Sequence, residues 1–207
     1  MLNSADLIFV TSERERQIVS NRHRRGPEIF VAPNGVDCRS TTPLPRRDTR
    51  DILFVGAMNY HPNADGILFF AKQVFPQIRA GSPEVRLHIV GSSPGESIRR
   101  LGRLEGIRVH GEVADVAPFY AESAVVIVPL RVGGGTRLKI LEAMAYGRPV
   151  VSTSVGCEGL EVEDGKHLLI ADNACHMQEA VLMLLHQPGI GDSLAVHARR
   201  LVEAKYD

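Results

Sequence analysis

The sequence predicts an α/β fold built on a doubly wound parallel sheet with helices on both faces, and three observations carry that prediction. From Asp51 onward, short apolar runs alternate with amphipathic stretches of helical period, the pattern of successive βαβ units. The runs are continuously apolar, as in AVVIVPL at 124–130, so both faces of those strands are to be buried, as a parallel sheet requires. Glycines stand where the runs end, at Gly56, Gly91, Gly111 and the triplet Gly133, Gly134 and Gly135. In an open parallel sheet, ligands collect beyond the carboxyl ends of the strands.

Taken in order, LIFV at Leu7 to Val10 reads as a buried strand, and Ser12 with Glu15 forms a capping box that opens a helix toward Arg25. EIFVAP at Glu28 to Pro33 is a second strand. The PNGVD turn at Pro33 to Asp37 follows, with Asn34-Gly35 supplying unusual backbone angles. The basic, proline-rich stretch Cys38 to Arg50 reads as a linker. DILFVGAM is then a strand ending at Gly56, and Asn63 or Asp65 can begin a helix through Phe75. VRLHIVG forms the next strand. Ser93-Pro94-Gly95-Glu96 combines a cap, a first-turn proline and a box glutamate ahead of a helix to Arg103. IRVHGEV, a short helix near Asp115 to Ala121, AVVIVPL, a helix to Tyr146, PVVSTSVG, HLLI and two amphipathic helices near Cys175 to His186 and Ile190 to Ala204 complete the chain.

Composition narrows the function classes. The chain of 207 residues is 44% hydrophobic and 23% charged, enough apolar material for one sizeable core. Its 24 basic and 24 acidic residues balance, which gives no electrostatic case for nucleic acid. A local cluster, Arg22, His23, Arg24 and Arg25, reads as a solvated helix end that complements the dipole, with contact with a membrane or a polyanion as the alternative. Cys38, Cys157 and Cys175 have no paired spacing, so neither a disulfide framework nor a zinc site is indicated, and no Asp-x-Asp pair marks a divalent ion. No apolar run is long enough to span a bilayer, and the first ten residues lack a basic segment ahead of an apolar one. A reducing cytoplasm is the expected compartment.

The chemistry concentrates at 128–151, VPLRVGGGTRLKILEAMAYGRPVV. A strand ends at Pro129 and Leu130, the glycine triplet strips side chains from a tight loop, and a helix runs on until Gly147 and Pro149 stop it. A helix start offers unpaired N–H groups and a partial positive charge, so such a junction suits an anion. Thr136 can cap the helix, Arg137 and Lys139 add cations, and Glu142 offers hydroxyl groups an acceptor one turn later. Phosphate together with sugar hydroxyls is the ligand chemistry these residue types fit. The plain structural alternative is a strand-ending turn followed by a surface Lys139–Glu142 pair.

This stretch resembles the donor-site signature of retaining GT-B glycosyltransferases of the large family-four group. Glu142-Ala143-Met144-Ala145, Gly147, Pro149, Val150 and Val151 match that signature position by position, and the resemblance extends over nearly the whole chain. It implies a Rossmann-like donor-binding domain at 51–207, a linker at 38–50, and at 1–37 the last strand, helix and strand of an N-terminal acceptor domain whose earlier part is absent. It further implies a nucleoside diphosphate sugar of UDP or GDP type as substrate, with no resident cofactor. Glu142 would receive the ribose hydroxyls, and the glycine loop and Gly56 would face the sugar and diphosphate. The Gly111-Glu112-Val113 turn would hold the base, Gly91 would form part of the crevice floor of the donor site, and Asn59 and His61 could reach the donor.

Two departures from the family pattern affect the chemistry. The family often has two glutamates separated by seven residues, and with Glu142 as the second, the first position is held by Gly134. Ala57 and Asp65 stand where arginine and lysine are common, so the catalytic work of meeting diphosphate charge passes to Arg137 and Lys139. A nucleotide-sugar epimerase and a non-enzymatic α/β nucleotide-binding module are the competing readings. The absence of G-x-G-x-x-G after the first strand of the domain argues against a dinucleotide dehydrogenase.

Overall fold

The computed structural model describes residues 6–22, 27–45, 47–133 and 138–207. Six parallel strands form the main sheet: β3 (Asp51–Val55), β4 (Leu87–Val90), β5 (Ile107–Gly111), β6 (Ser123–Val128), β7 (Val150–Ser152) and β8 (Leu169–Ile170). Ahead of them, β1 (Leu7–Val10) and β2 (Glu28–Val31) pair in parallel across α1 (Glu13–Arg22), with Leu7 opposite Glu28 and Val10 opposite Val31. The main sheet runs β5-β4-β3-β6-β7-β8, so the chain starts in the middle, builds outward to one edge, and returns to build outward to the other. The order reverses between β3 and β6. That reversal leaves a crevice at the carboxyl ends of the two strands, because the connections leave them toward opposite faces.

Why these runs become strands is plain in β6, where every residue is buried. Val125 and Ile127 point to one face, where Ile52, Phe54, Leu87 and Ile89 meet α2 (His61–Phe69), α3 (Phe75–Gly81) and α7 (Ala174–His186). Val126 and Val128 point to the other, where Leu53 and Val90 meet α6 (Leu138–Ala145) and α8 (Pro188–Lys205). A strand with helices on both faces has no polar side to show, which is why its sequence does not alternate. The remaining helices are α4 (Glu96–Leu101) and α5 (Ala117–Glu122), and a π turn at Phe70–Val74 joins α2 to α3.

Several local expectations are corrected. The strand at Leu7–Val10 forms but only its last residue, Val10, is buried: Phe9 is 65% exposed, its β2 partner Phe30 is 45% exposed, and α1 contributes no buried residue. The Ser12 hydroxyl does accept from the Glu15 N–H at 3.2 Å, while the Glu15 carboxylate reaches past Ser12 to the N–H and hydroxyl of Thr11, each at 2.8 Å. Arg22 ends α1, and His23, Arg24 and Arg25 lie outside the described residues. Asn34 and Gly35 take no positive φ. Gly35 is a glycine because a Cβ there would sit 2.6 Å from the Tyr206 carbonyl oxygen. α2 begins at His61 with Pro62 in its first turn, ahead of Asn63 and Asp65. Ser93 does not cap α4; it takes a positive φ of 56°, and Gly95 stands at the helix start with no side-chain cap.

The stretch at 38–50 is fastened to the domain. The Arg199 guanidinium donates to the carbonyls of Ala145 at 2.7 Å and Cys38 at 2.9 Å. Arg148, only 2% exposed, donates to the carbonyls of Tyr120 at 2.6 Å, Pro45 at 2.9 Å and Leu44 at 3.1 Å. The Asp207 carboxylate accepts from the Cys38 N–H at 2.8 Å. Irregular backbone lying against a core must satisfy its polar groups, and here two arginines and an aspartate side chain do so.

Candidate functional site

The crevice at the strand-order reversal is built from two loops. After β3 the chain passes through Gly56, and after β6 it passes through Pro129 and Leu130 to Gly133, which takes a φ of 110°, before α6. Lys139 lies in the first turn of α6 and reaches across the end of β3. Its Nζ donates to Asn63 Oδ1 at 2.7 Å and lies 4.6 Å from the centroid of the Phe54 ring. A Cβ on Gly56 would fall 2.5 Å from that Nζ and 2.8 Å from Asn63 Nδ2. Gly56 is therefore the space through which the cation enters. Asn63, 5% exposed, donates in turn to the Ala57 carbonyl at 2.8 Å, so a buried amide with both ends engaged orients the ammonium group.

The neighbouring strand ends form one floor with Gly56. Gly91 takes a φ of 149°, and a Cβ on it would lie 1.9 Å from the Gly56 carbonyl oxygen. Its glycine is thus required by two backbones meeting, independently of any ligand. The Gly56 N–H donates to the Val90 carbonyl at 2.9 Å, the Met58 N–H to Ser92 at 2.9 Å, and the Gly91 N–H to Gly111 at 2.8 Å. Gly111 takes a φ of 73° and faces open space, while Val113 packs half-buried against the core beneath α6. Asn59 and His61 are exposed at the start of α2.

Glu142 lies one helical turn beyond Lys139. The hydroxyl of Tyr120, a fully buried residue on α5, donates to Glu142 Oε2 at 2.8 Å, and the Tyr120 ring stacks on Tyr146 with centroids 4.8 Å apart. Burial pushes the Glu142 carboxyl above the ordinary glutamate range, and the Tyr120 hydrogen bond and the Lys139 charge pull against that rise. Burial, with Glu142 alongside, holds the Tyr120 hydroxyl well above 10, so it stays a donor at any working pH. One carboxylate oxygen is thereby fixed to the scaffold and the group is aimed by it.

Asp65 proves to be paired. Arg131 donates through Nε to Asp65 Oδ2 at 3.0 Å and through Nη2 to Oδ1 at 2.6 Å, and its guanidinium lies 4.9 Å from the centroid of Phe69. The carboxylate that replaces a common lysine is thus neutralised by the residue just after β6. Of the residues expected from the sequence, Gly56, Lys139 and Glu142 are brought to the reversal, with Gly91 and Gly111 along the floor from it. Gly134, Gly135, Thr136 and Arg137 lie outside the described residues. Sequence reading missed Tyr120, Asn63 and Arg131. Neither Arg131 nor Tyr120 had a local signal: Asp65 lies within α2, 66 positions from Arg131, and an isolated tyrosine in a short helix is ordinary core.

A parallel sheet whose order reverses beside its first strand, with a glycine turn leading into a helix at that point, defines the doubly wound, Rossmann-like class of α/β domain. The chain belongs to the group 1 glycosyl transferases, whose family model matches residues 49–187. An uncharacterized 44.6 kDa protein in the cps region of Klebsiella pneumoniae is 24% identical over 165 residues, covering 76% of this chain and 42% of that protein. A D-inositol 3-phosphate glycosyltransferase of Geodermatophilus obscurus is 27% identical over 181 residues, covering 77% of this chain and 40% of the relative. The chain thus spans less than half the length of these two relatives. Among solved structures, a variant of S. aureus TarM in complex with Fondaparinux, alpha-GlcNAc-glycerol and UDP superposes with a TM-score of 0.84 at 20% identity, over 100% of this chain and 42% of that one. Anabaena HepE in complex with UDP-glucose gives a TM-score of 0.80 at 18% identity, over 99% of this chain and 61% of that one. These structures share the fold.

Proposed function

We propose that the chain forms the donor-binding half of an enzyme that transfers a sugar from a nucleoside diphosphate sugar to a saccharide, glycan or lipid-linked acceptor with retention of configuration. The observation that carries this reading is the seating of Lys139: a cation at the start of α6, oriented by buried Asn63, enters over Gly56 at the reversal where such sheets bind ligands. Lys139, with Arg137 and Thr136 beside it in sequence, meets the diphosphate. Positive charge and helix N–H groups there take up the charge that develops on the leaving diphosphate as the glycosidic bond breaks, which is the main chemical contribution of this half. Glu142, aimed by Tyr120, accepts the ribose hydroxyls. The turn at 111–113 borders the base, and Gly56, Asn59 and the glycine loop border the sugar.

A donor of UDP type is favoured by the UDP and UDP-glucose held by the TarM and HepE structures. The donor enters as substrate, and Lys139 with Arg137 meets its charge without a resident cofactor. The second half of the cleft, in this reading, is an N-terminal acceptor domain to which β1, α1 and β2 belong, in a cytoplasmic enzyme that can contact a membrane peripherally. Among the described residues, no helix is long and apolar enough to cross a membrane.

Titration calorimetry of the chain with UDP, GDP and UDP-glucose tests the reading directly. Binding of one nucleotide that Lys139→Ala weakens is expected. A chain that takes up none of the three would reduce the domain to an α/β module without a donor site.

A further inference from the structure

A groove lies away from the reversal, along the free edge of β5. It measures about 980 Å³ and runs from Arg86 and Gly106 at the start of that strand to Pro94 and Gly111 at its end. β5 pairs only with β4, so its outer edge has no partner strand among the described residues. Five arginines line the groove against two glutamates, in a chain whose charges otherwise balance. Both glutamates are already engaged: Glu105 with Arg79 at 2.7 Å, and Glu84 with Arg50 from outside the groove. Arg86, Arg99, Arg103 and Arg108 are exposed and form no ion pair among the described residues.

The four cations are divided between the two faces of the sheet. Arg99 projects from α4 and Arg103 from just beyond it; α4 packs on the face carrying Ile107 and Val109, as the burial of Ile98 and Leu101 with Ile107 shows. Arg108 sits opposite His88 in the ladder, so it belongs to the other face, and Arg86 precedes His88 by two residues and shares that side. An open strand edge flanked by unpaired guanidinium groups above and below has the complement of one kind of ligand. An added strand sends alternate side chains to opposite faces, so acidic residues on both faces would meet both pairs of arginines while its backbone joins the ladder.

We propose that this edge is a docking site for an extended acidic segment of a partner protein, which adds to β5 as a seventh strand. A bilayer is a poor match for a concave groove that wraps a strand edge. A sulfated or phosphorylated glycan could satisfy the arginines but has no use for the exposed backbone. β5 is five residues long, so the docked segment is about 17 Å of extended chain.

The test uses the full chain and a fluorescent peptide of repeated Glu-Glu-Val-Val, which places acids on both faces of a strand, with binding read by anisotropy. Its lysine counterpart, a version with every backbone nitrogen methylated so that neither edge can donate, phosphatidylserine vesicles and a heparin oligosaccharide are the comparison arms. The acidic peptide is expected to bind, more weakly as salt rises. About a tenfold loss, or roughly 1.4 kcal/mol, is expected from either Arg99→Ser with Arg103→Ser or Arg86→Ser with Arg108→Ser. These are exposed positions, so the variants should fold. Backbone methylation should also abolish binding while leaving charge intact. Equal binding of the methylated peptide, or indifference to either arginine pair, would overturn strand addition. Tighter binding of vesicles or of the oligosaccharide would overturn the choice of a peptide. No binding of the acidic peptide would leave the arginines as guards that keep an open edge from aggregating.

Discussion

The chain builds two parallel β-sheets from similar apolar runs, and they end in opposite situations. SAVVIV in β6 is buried at every position, whereas LIFV in β1 and EIFV in β2 leave Phe9 and Phe30 largely in solvent. The two phenylalanines touch each other, centroids 6.0 Å apart, with no helix over them among the described residues. An apolar run therefore identifies a strand, but a strand becomes core only when both its faces are covered. The contrast extends to function. A crevice that must hold a cation and a carboxylate within a fraction of an ångström belongs on the covered sheet, where packing fixes rotamers.

The widest test of that contrast is stability. Ile127→Ala in β6 removes a side chain with no exposed surface and should cost about 2–5 kcal/mol. Phe9→Ala, although it deletes a larger side chain, should stay within about 0.5 kcal/mol. Urea denaturation of both variants decides it. A cost for Phe9→Ala comparable to that for Ile127→Ala would mean the small sheet is as structural as the large one.

Ligand binding sharpens the same comparison. Lys139→Ala should weaken nucleotide binding by about 1.5–3 kcal/mol, the range for a hydrogen bond to a charged group, and Phe9→Ala should leave it unchanged. Calorimetry with UDP would show whether both hold; a parent-like affinity for Lys139→Ala removes that residue from the diphosphate site.

Glu142→Gln should produce a smaller and divided effect. Affinity for a ribonucleotide should fall by about 1 kcal/mol and affinity for its 2′,3′-dideoxy counterpart should not, since the lost acceptor serves the ribose. Stability should move the other way. The folded state holds the Glu142 carboxyl above its ordinary 4.5, so ionisation works against folding as pH rises through that region. Removing the charge should make the variant slightly more stable at neutral pH, with the gain shrinking as pH falls toward 4.5. Equal loss for both nucleotides would return Glu142 to a structural role beside Tyr120.

The smallest expected effect is a pH dependence at the β5 edge of the large sheet. His110 accompanies His88 at 3.0 Å between ring nitrogens, and burial, then His88 and Arg108, hold it below the ordinary 6.5. A base whose folded value is depressed favours the native state above its unfolded value and loses that contribution as pH falls. Melting temperature should therefore decline as pH drops below about 6.5, and His110→Asn should flatten the decline. A profile identical in the variant would assign the dependence elsewhere, with His167, also depressed by burial, the next group to test.

Local information in the sequence determined a great deal here. Continuous apolar runs announced buried parallel strands, and glycines at their ends marked the floor of the crevice. The order of strand, glycine triplet and helix at 128–151 placed Lys139 and Glu142 one helical turn apart on the helix that follows the glycines. Each of those signals lies within a few residues of what it predicts. What only the tertiary structure decided involves groups far apart in the chain. Asn63 orients Lys139 from 76 positions away, and Tyr120 aims Glu142 from 22. Arg148 holds the stretch at 38–50 down from more than a hundred positions away. Gly91 and Gly35 owe their identity to a backbone oxygen elsewhere, at Gly56 and Tyr206. The physical reason is the same in each case. Periodicity and turn chemistry are properties of consecutive residues, whereas a buried hydrogen bond or a backbone collision exists only once folding has brought two distant segments within a few ångströms.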